Sequence, residues 1–344
     1  MLLLLLSSAD AAETRPTVLA QVWATAYDQD ETAQSDPAGY GDPEDDPGFK
    51  VRRARVGMDV VDDSGKLSAG VTVGYSAGSD AIVAYEGGVG LVEARASVQA
   101  HELVGVHAGL VKVPVGRETL TSSSALPFQE RTVASNHLMP YREVGVLADF
   151  ETAGLRLRAG AFNGNGSLRG DDDAGVLAAG RAEYTLGEGD PYRTFGSVDG
   201  FTLGVGGDFV FNPELATRTM VYGGDIVVRV KGLTAVVEYH QANITPTNTE
   251  AEAPGVLAAT KRSGGHAQVG YTIADRWEPV ARFEVFDEDA SESNNGDLAH
   301  GTFGLTAHLM DDHLRLGGGY VMRRETGGRT VPNDTVRLWS QVAF

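Results

Sequence analysis

The sequence predicts an all-β fold, a transmembrane antiparallel β-barrel of about sixteen strands, and three observations support this prediction. Apolar and polar residues alternate with a period of two along nearly the whole chain, between clusters of Gly, Asp, Asn and Pro. The 344 residues include 44 glycines and no cysteine, which argues against helical bundles and disulfide frameworks. The connections between the predicted strands alternate in length, as they do in barrels that cross a membrane.

The first eleven residues resemble a truncated secretory signal peptide. Met1 is followed by five leucines and two serines, and Ala9-Asp10-Ala11 has the small-x-small form of a cleavage site. The segment lacks a basic start, and its apolar run is short, so the beginning of a buried helix is the alternative. We expect residues 1–11 to be removed on export and residues 12–344 to form a single barrel domain.

Sixteen segments carry the period-two pattern of strands, an even number. They span residues 17–27, 49–61, 67–77, 90–99, 104–113, 143–150, 155–163, 176–187, 201–211, 218–231, 233–241, 263–274, 278–286, 301–310, 313–323 and 334–344.

Even-numbered strands end in mostly tight turns, such as 62–66 and 231–232, whereas odd-numbered strands end in long polar loops. Outer-membrane barrels have short periplasmic turns and long external loops. Both termini are therefore expected on the periplasmic side. The connection 188–200 breaks the rule, since it is long and contains Pro191, and it is where a strand could have been missed.

One face of nearly every predicted strand is apolar, as in Leu233-Ala235-Val237-Tyr239, and the opposite face carries charge. A soluble β-sandwich, the alternative fold, would have to bury these charges without water. A water-filled lumen accommodates them. On this parity the lumen wall holds twelve basic residues against nine acidic ones, a small positive excess. The basic residues are Arg53, Arg55, Arg95, Arg156, Arg158, Arg181, Arg229, Lys231, Arg282, Arg315, Arg323 and Arg337, and the acidic ones are Asp59, Glu93, Glu143, Asp149, Glu183, Asp208, Asp225, Glu238 and Glu284.

The chain as a whole is acidic, with a formal charge of -19, which argues against nucleic acid as a partner. The acids concentrate in predicted external loops, above all in residues 28–48. Four of them, Asp42, Glu44, Asp45 and Asp46, could offer oxygen ligands to calcium, but the loop lacks the twelve-residue calcium pattern. We therefore interpret it as a solvated acidic rim near lipopolysaccharide and predict no metal site.

The last residues, from Val336 to Phe344, alternate between apolar and polar residues and end on an aromatic carboxyl terminus. Phe344 shares the apolar face with Val336, Leu338 and Val342. The final strand of bacterial outer-membrane barrels typically ends in this way, which is similar to the signal that the barrel assembly machinery reads. A final strand of a soluble β-protein is the alternative.

The longest connection, residues 114–142, contains motifs that resemble the phosphate-selective porin O and P family. That family has Lys-x-Pro-x-Gly-x-Glu, then Leu-Thr-Ser-Ser, Phe-x-Glu-Arg, Pro-x-Arg-x-x-Gly and, two strands later, Phe-Asn-Gly. The matching positions here are Lys112, Pro114, Gly116 and Glu118; Leu120 to Ser123; Phe128, Glu130 and Arg131; Pro140, Arg142 and Gly145; and Phe162, Asn163 and Gly164.

The resemblance implies a homotrimeric porin of sixteen strands whose third external loop folds into the lumen, and 114–142 is the third such loop in our strand count. Such a loop is needed because sixteen strands leave a wide aqueous channel. We expect the pore constriction to include Arg117, Glu118, Glu130, Arg131 and Arg142. The alternative for the adjacent Glu130 and Arg131 is that they anchor the loop to the wall, which we favour slightly.

These features predict an outer-membrane porin, a passive aqueous channel for small charged or polar solutes that needs no cofactor. Because the arginines lie near the narrow zone and the acids lie on outer loops, a weak preference for anions follows, with phosphate as one candidate. A structural or adhesive barrel that displays acidic loops is the first alternative. An outer-membrane hydrolase built on Ser122 to Ser124 with His137 is the second, and the family motif accounts for those serines without catalysis.

Overall fold

The computed structural model describes residues 12–27, 47–76, 88–167, 175–214, 217–247, 259–293, 296–328 and 332–344. The predicted signal peptide and the acids Asp42, Glu44, Asp45 and Asp46 lie outside these residues. Sixteen strands make up most of the described chain. They are β1 (Glu13–Tyr27), β2 (Gly48–Val61), β3 (Leu67–Ser76), β4 (Val89–His101), β5 (Val104–Lys112), β6 (Arg142–Thr152), β7 (Leu155–Phe162), β8 (Leu177–Gly187), β9 (Phe201–Pro213), β10 (Thr217–Val230), β11 (Leu233–Pro246), β12 (Thr260–Tyr271), β13 (Trp277–Asp287), β14 (Leu298–Leu309), β15 (Leu314–Met322) and β16 (Thr335–Ala343).

Each strand pairs antiparallel with its neighbours in the chain, and β1 pairs with β16 to close the barrel. At the closing seam Leu19 lies opposite Ala343, and the backbone groups of Val18 and Phe344 exchange hydrogen bonds of 3.0 and 2.9 Å. Closure leaves no strand edge unpaired, which is the condition for placing a sheet in hydrocarbon. The predicted fold class, an antiparallel β-barrel of sixteen strands, is confirmed.

All sixteen predicted segments correspond to strands of the barrel. At one end, the turn end, most connections are short, from the two residues 102–103 to the five residues 62–66. The connection 188–200, described throughout, contains no strand, so none was missed there. At the opposite end, the loop end, one expected long loop is in fact the three-residue connection 214–216, because β9 and β10 continue their pairing to Pro213 and Arg218.

Apolar side chains cover the outer face of the barrel. Val237, Phe303 and Leu338 are each more than half exposed, as the period-two pattern predicts for a lipid-facing surface. Near the turn end the exposed outer residues become aromatic; they include Tyr184, Phe201, Tyr271 and Trp277. Aromatic girdles of this kind mark the membrane interface in outer-membrane barrels.

The connection between β5 and β6, residues 113–141, contains two short helices, α1 (Arg117–Leu120) and α2 (Val133–Leu138). Neither of these two described helices is long or apolar enough to cross a membrane. The side chain of Thr132 caps α2 by accepting a 3.2 Å hydrogen bond from the backbone N–H of Ser135. α2 packs closely on β12 at Gly264, where a Cβ would approach the Cβ of Ala134 to 2.8 Å. Glycine at this position therefore allows the helix to reach the wall.

Candidate pore constriction

Residues 113–141, called the constriction loop below, contact inward-facing side chains of strands all around the barrel. On one side Arg55 of β2 donates to Ser123 Oγ at 2.9 Å. On another Arg315 of β15 donates to the carbonyl oxygens of Ser124 and Leu126 at 2.8 and 3.0 Å. These arginines bind loop carbonyl and hydroxyl oxygens, so they act as anchors for the loop backbone.

Arg117 begins α1 and is completely buried. Its Nε donates to Asp225 Oδ1 of β10 at 2.6 Å, and its Nη1 donates to the carbonyl oxygen of Pro191 at 3.0 Å. Asp225 also pairs with Arg181 of β8, whose Nη1 lies 2.7 Å from Asp225 Oδ2 and 2.7 Å from Asp208 Oδ2. The start of the loop is thus joined to an ionic network on β8, β9 and β10.

Glu118 is the next anchor, and its backbone and side chain both have partners. Its N–H donates to the carboxylate of Glu238 at 2.9 Å, and its own Oε2 accepts from the N–H and Oγ1 of Thr132 at 3.0 and 2.7 Å. Burial raises the pKa of Glu118, but the charges of His266 and Arg282 and these hydrogen bonds more than offset burial and hold the pKa at about 2. The carboxylate is therefore ionised at neutral pH, and it ties α1 to the start of α2.

Glu130 is bound by two adjacent arginines of β2. Arg52 Nε donates to Glu130 Oε1 at 2.9 Å, and Arg53 Nη2 lies 3.3 Å from the same oxygen. Both arginines are buried because the register of β1 and β2 shifts between Gln21 and Val22, which inserts an extra residue into β2. A β-bulge of this kind turns two consecutive side chains toward the same face. Strict alternation could not show that Arg52 faces inward, and it was absent from the predicted wall.

Arg131 and Arg142 both lie close to the ring of Tyr141. Their guanidinium carbons are 5.0 and 4.6 Å from its centroid. Arg131 donates to the carbonyl oxygens of Glu118 and Thr121 at 3.1 and 2.9 Å, so it binds the loop to itself. Arg142 donates to Glu93 Oε2 of β4 at 3.1 Å. Burial raises the pKa of the Tyr141 phenol, but Arg131, Arg142 and Lys112 more than offset burial, and the pKa lies well below its usual value.

The serines and the histidine of the hydrolase alternative take part in local packing. The hydroxyls of Ser122 and Ser124 are 2.9 Å apart, and Ser123 accepts from Arg55. His137 packs its ring against Phe286, with the centroids 5.9 Å apart. Burial, helped by the nearby charge of Arg262, lowers the pKa of His137 to about 4. General bases work best when their pKa lies near the working pH, and burial moves the pKa of His137 away from neutral pH.

A cavity of about 420 Å³ lies between the constriction loop and the wall formed by β4 to β7. Leu120 of α1 lines its loop side, and most of the other lining side chains are charged. The basic ones are Arg95, Lys112, Arg156 and Arg158, and the acidic ones are Glu93, Asp149 and Asp190. This cavity, called the central cavity below, is the open space that the loop leaves beside it.

Among the basic side chains of the central cavity, Arg156 has the weakest contacts with other protein groups. Its side chain is 36% exposed, and its two ion pairs, to Asp149 and Glu151, are both 3.6 Å long. Arg158, by contrast, donates to Glu183 Oε1 and to the Tyr192 hydroxyl at 2.9 Å. Arg95 pairs with Glu93 at 2.9 Å and with Asp59. Arg156 is therefore the group best able to meet a passing solute.

The predicted site residues fall into two sets. Arg95, Arg156 and Arg158 line the central cavity. The others are loop anchors or members of the ionic network: Arg117, Glu118, Glu130, Arg131, Arg142, Arg53, Arg55, Arg181 and Arg282. Arg282 belongs to this set because its Nη1 donates to the carbonyl oxygen of Glu130 at 3.0 Å. Lys231, expected on the wall, lies in the turn 231–232 with φ 53°.

Lys112 and His107 line the central cavity but were not predicted to do so. The alternation of β5 is interrupted at Gly109, which has φ 122°, and Leu110 and Val111 are then both buried. Lys112 reaches the carbonyl oxygen of Leu120 at 2.6 Å. His107 lies 2.6 Å from Asp149. The local signal for this change of face was Gly109 within β5.

Comparison with solved structures shows the same fold in outer-membrane proteins. A loop-deletion mutant of OmpT from Vibrio cholerae matches with a TM-score of 0.64 and 13% identity over 97% of this chain and 100% of that one. The anion-selective porin from Comamonas acidovorans gives 0.64 and 12% over 97% and 100%. OmpF of Salmonella typhi, in complex with daunomycin, gives 0.62 and 10% over 98% of each.

No curated protein sequence matches the chain significantly. Residues 28–199, half of the chain, match the family described as phosphate-selective porin O and P. This region contains the constriction loop and the strands that line the central cavity. Together with the closed barrel of sixteen strands, the match indicates an outer-membrane channel of bacteria. The chain belongs to the phosphate-selective porin O and P family.

Proposed function

We propose that this porin is a passive diffusion channel with a weak preference for small anions, and that its permeation path follows the β4–β7 wall. The observation that carries the proposal is Arg156 in the central cavity, whose side chain is partly exposed and only loosely paired. Arg95, Lys112 and Arg158 surround the same space. Of the acidic residues there, Glu93 is paired with Arg95, and Asp149 Oδ1 lies 2.6 Å from His107 Nε2. Selectivity is set by the groups that line the narrow zone, so local charge outweighs the net charge of the chain.

The constriction loop narrows this path by occupying the rest of the lumen. In support, its anchors lie on strands from β2 to β15, and a segment bound to opposite walls has to cross the interior. The anchors are held by short contacts, whereas Leu120 and open space lie on the cavity side of the loop. The loop therefore acts as a fixed partition, and the charges that a solute meets are those of the wall.

Phosphate remains a candidate solute on chemical grounds. Guanidinium groups bind phosphate oxygens in a planar, bidentate manner, and the central cavity brings Arg156 and Arg158 together on one strand, two residues apart on the same face. Chloride would interact with the same groups through charge alone. A channel that retards phosphate more than chloride would therefore show phosphate-dependent block of chloride current.

Catalysis is not part of the proposed function. The serines and His137 are engaged in local contacts, and the lowered pKa of His137 makes its imidazole a weak base for activating a serine. We also propose a homotrimer, with support from the trimer form named for OmpT of Vibrio cholerae, which has the same fold. Its test is the mass of the purified protein in detergent by light scattering.

The experiment that tests the channel is the reversal potential of the wild-type protein in a planar bilayer under a KCl gradient. A reversal potential whose sign indicates anion selectivity, at both low and high salt, supports the proposal. A channel that is cation-selective at high salt, where the rim acids are screened, contradicts the anion preference. A barrel that inserts but does not conduct contradicts the channel and favours a structural or adhesive role.

A further inference from the structure

The connection 188–200 at the turn end folds into the barrel. Gly187, the last residue of β8, is paired with Thr202 of β9, so the thirteen residues 188–200 leave and return at neighbouring positions of the sheet. The other connections at this end have two to five residues, which is what a hairpin requires. Residues 188–200 are longer than a hairpin needs and form a structure of their own, called the turn segment below.

Phe195 holds the middle of the turn segment against the far wall and is only 3% exposed. Its ring stacks on His308 of β14 with centroids 5.3 Å apart, and the guanidinium carbon of Arg315 of β15 lies 4.0 Å from its centroid. From β10, Arg229 Nη2 donates to the Phe195 carbonyl oxygen at 2.9 Å. Strands β10, β14 and β15 surround the interior, so the segment lies inside the lumen.

The turn segment also contacts the constriction loop. The backbone N–H and the Oγ1 of Thr194 both donate to the carbonyl oxygen of Ala125 at 3.2 Å. Arg117 donates to the Pro191 carbonyl oxygen, and Tyr192 receives a 2.9 Å hydrogen bond from Arg158. The two inward segments thus support each other, one entering from each end of the barrel.

Asp190 lies where the central cavity meets a second cavity of about 920 Å³ at the turn end, because it lines both. Asp190 is exposed, and its Oδ1 accepts a hydrogen bond from the backbone N–H of Tyr192 at 2.8 Å. The second cavity is also lined by the exposed acids Asp199 and Asp275. Two basic residues line this cavity too. Arg193 is paired with Asp312, and Arg229 is buried and donates to the backbone carbonyl oxygens of Asp190 and Phe195 at 3.1 and 2.9 Å.

We propose that the turn segment is a second constriction, in series with the first, and that Asp190 is a specificity-determining residue at the exit. This inference rests on the proposed channel function. A solute that leaves the basic central cavity toward the periplasm passes the Asp190 carboxylate and then an acidic vestibule. The two narrow zones therefore have opposite charge, so the charge of the pore wall changes sign along the path.

Opposite charges in series make conduction depend on the direction of the field. When the periplasmic side is positive, cations enter through the acidic vestibule and anions enter through the basic cavity, so both carriers accumulate in the narrow zones. When the periplasmic side is negative, both cations and anions are depleted from the narrow zones. We expect a larger current with the periplasmic side positive, and the difference should be greatest at low salt, where screening is weakest.

The test is the ratio of currents at equal and opposite voltages in symmetric KCl of about 0.1 M, where the Debye length is about 10 Å. The protein has no cysteine, so Ser197→Cys, in the second cavity, provides a unique label. A positively charged thiol reagent that changes the current from one side of the bilayer identifies the periplasmic side. The wild-type ratio should exceed one, and Asp190→Asn should bring it toward one and shift the reversal potential toward anions.

Asp63→Asn is the matched control, since it removes one exposed acid from the turn 62–66 at the same end of the barrel. It should leave the ratio unchanged. Deleting residues 190–197 should raise single-channel conductance and abolish the asymmetry. If wild type conducts but Asp190→Asn behaves like the control, the second constriction is wrong and the channel function stands. If wild type does not conduct, both fail.

Discussion

Arg117 of the constriction loop and Asp225 of β10 form an ion pair with an Nε to Oδ1 distance of 2.6 Å, and both side chains are completely buried. The pair connects the loop that follows β5 to β10, which is five strands further along the chain. Desolvating two charges is costly, so such a pair is maintained by its geometry and its additional hydrogen bonds. Removing one partner leaves the other charge buried without full compensation.

We expect Arg117→Ala to loosen the loop without opening the barrel. Breaking a buried pair in this way costs about 3–5 kcal/mol. The measurement is limited proteolysis of the folded protein, with cleavage mapped to residues 113–141, together with the noise of the open single channel. Arg15→Ala removes an exposed arginine paired with Glu13 and serves as the control. Equal protease resistance of Arg117→Ala and wild type would contradict the anchor.

Arg156→Gln should move the reversal potential toward cations more than Arg131→Gln does. Arg156 is exposed to the central cavity, whereas Arg131 is buried and bound to carbonyl oxygens of its own loop. The measurement is the reversal potential under a KCl gradient, with Arg218→Gln on the exposed loop end of β10 as a control for charge alone. If Arg131→Gln has the larger effect, the path lies through the loop and not beside it.

Removing residues 118–138 should raise single-channel conductance, because the segment that occupies the lumen would be gone. The wall anchors Arg52, Arg53 and Arg315 would then face water, which hydrates them, so the barrel is expected to persist. Heat-modifiable mobility on gels checks the fold, and conductance in a planar bilayer checks the path. A folded variant with unchanged conductance would show that the loop lies outside the pore.

Lowering the pH should release the constriction loop from the wall only below about pH 4.5. The pKa of Glu118 is lowered from its usual 4.5 to about 2, so the carboxylate stabilises the docked loop at and above pH 4.5. This contribution, about 3 kcal/mol, decreases as the pH falls from 4.5 and is lost near pH 2. Protease resistance of the loop, measured from pH 7 to pH 2, should fall in that window. The Glu118→Gln variant should lack this part of the dependence.

Deleting Phe344 should lower the yield of assembled barrel in the outer membrane. Its backbone completes the seam with Val18, its ring stacks on His313 with centroids 4.9 Å apart, and its side chain is exposed on the outer face. We propose that the barrel assembly machinery recognises this residue. Phe303→Ala, on the same outer face but within β14, controls for lost apolar area. Equal yields of the two variants would contradict a terminal signal.

The sequence was sufficient for the strands but not for the partners of the arginines. Period-two alternation located all sixteen strands because one face of each contacts lipid and the other lines the lumen. The same alternation misplaced side chains wherever the backbone departs from it, as at the bulge beside Arg52 and at Gly109 before Lys112. Whether an arginine anchors the loop or faces the solute depends on residues far along the chain. Arg117 and Arg156 have the same chemistry, and the local pattern could not separate them.

The anchors of the constriction loop come from both ends of the sequence, since Arg52 belongs to β2 and Arg315 to β15. The loop can therefore acquire its full set of partners only after the last strands have joined the first. Contacts that are this distant in sequence form slowly, because the entropy of closing the intervening chain must be overcome first. Docking of the loop is consequently a late event in folding, and a barrel whose seam has just closed should pass through a wide-open intermediate.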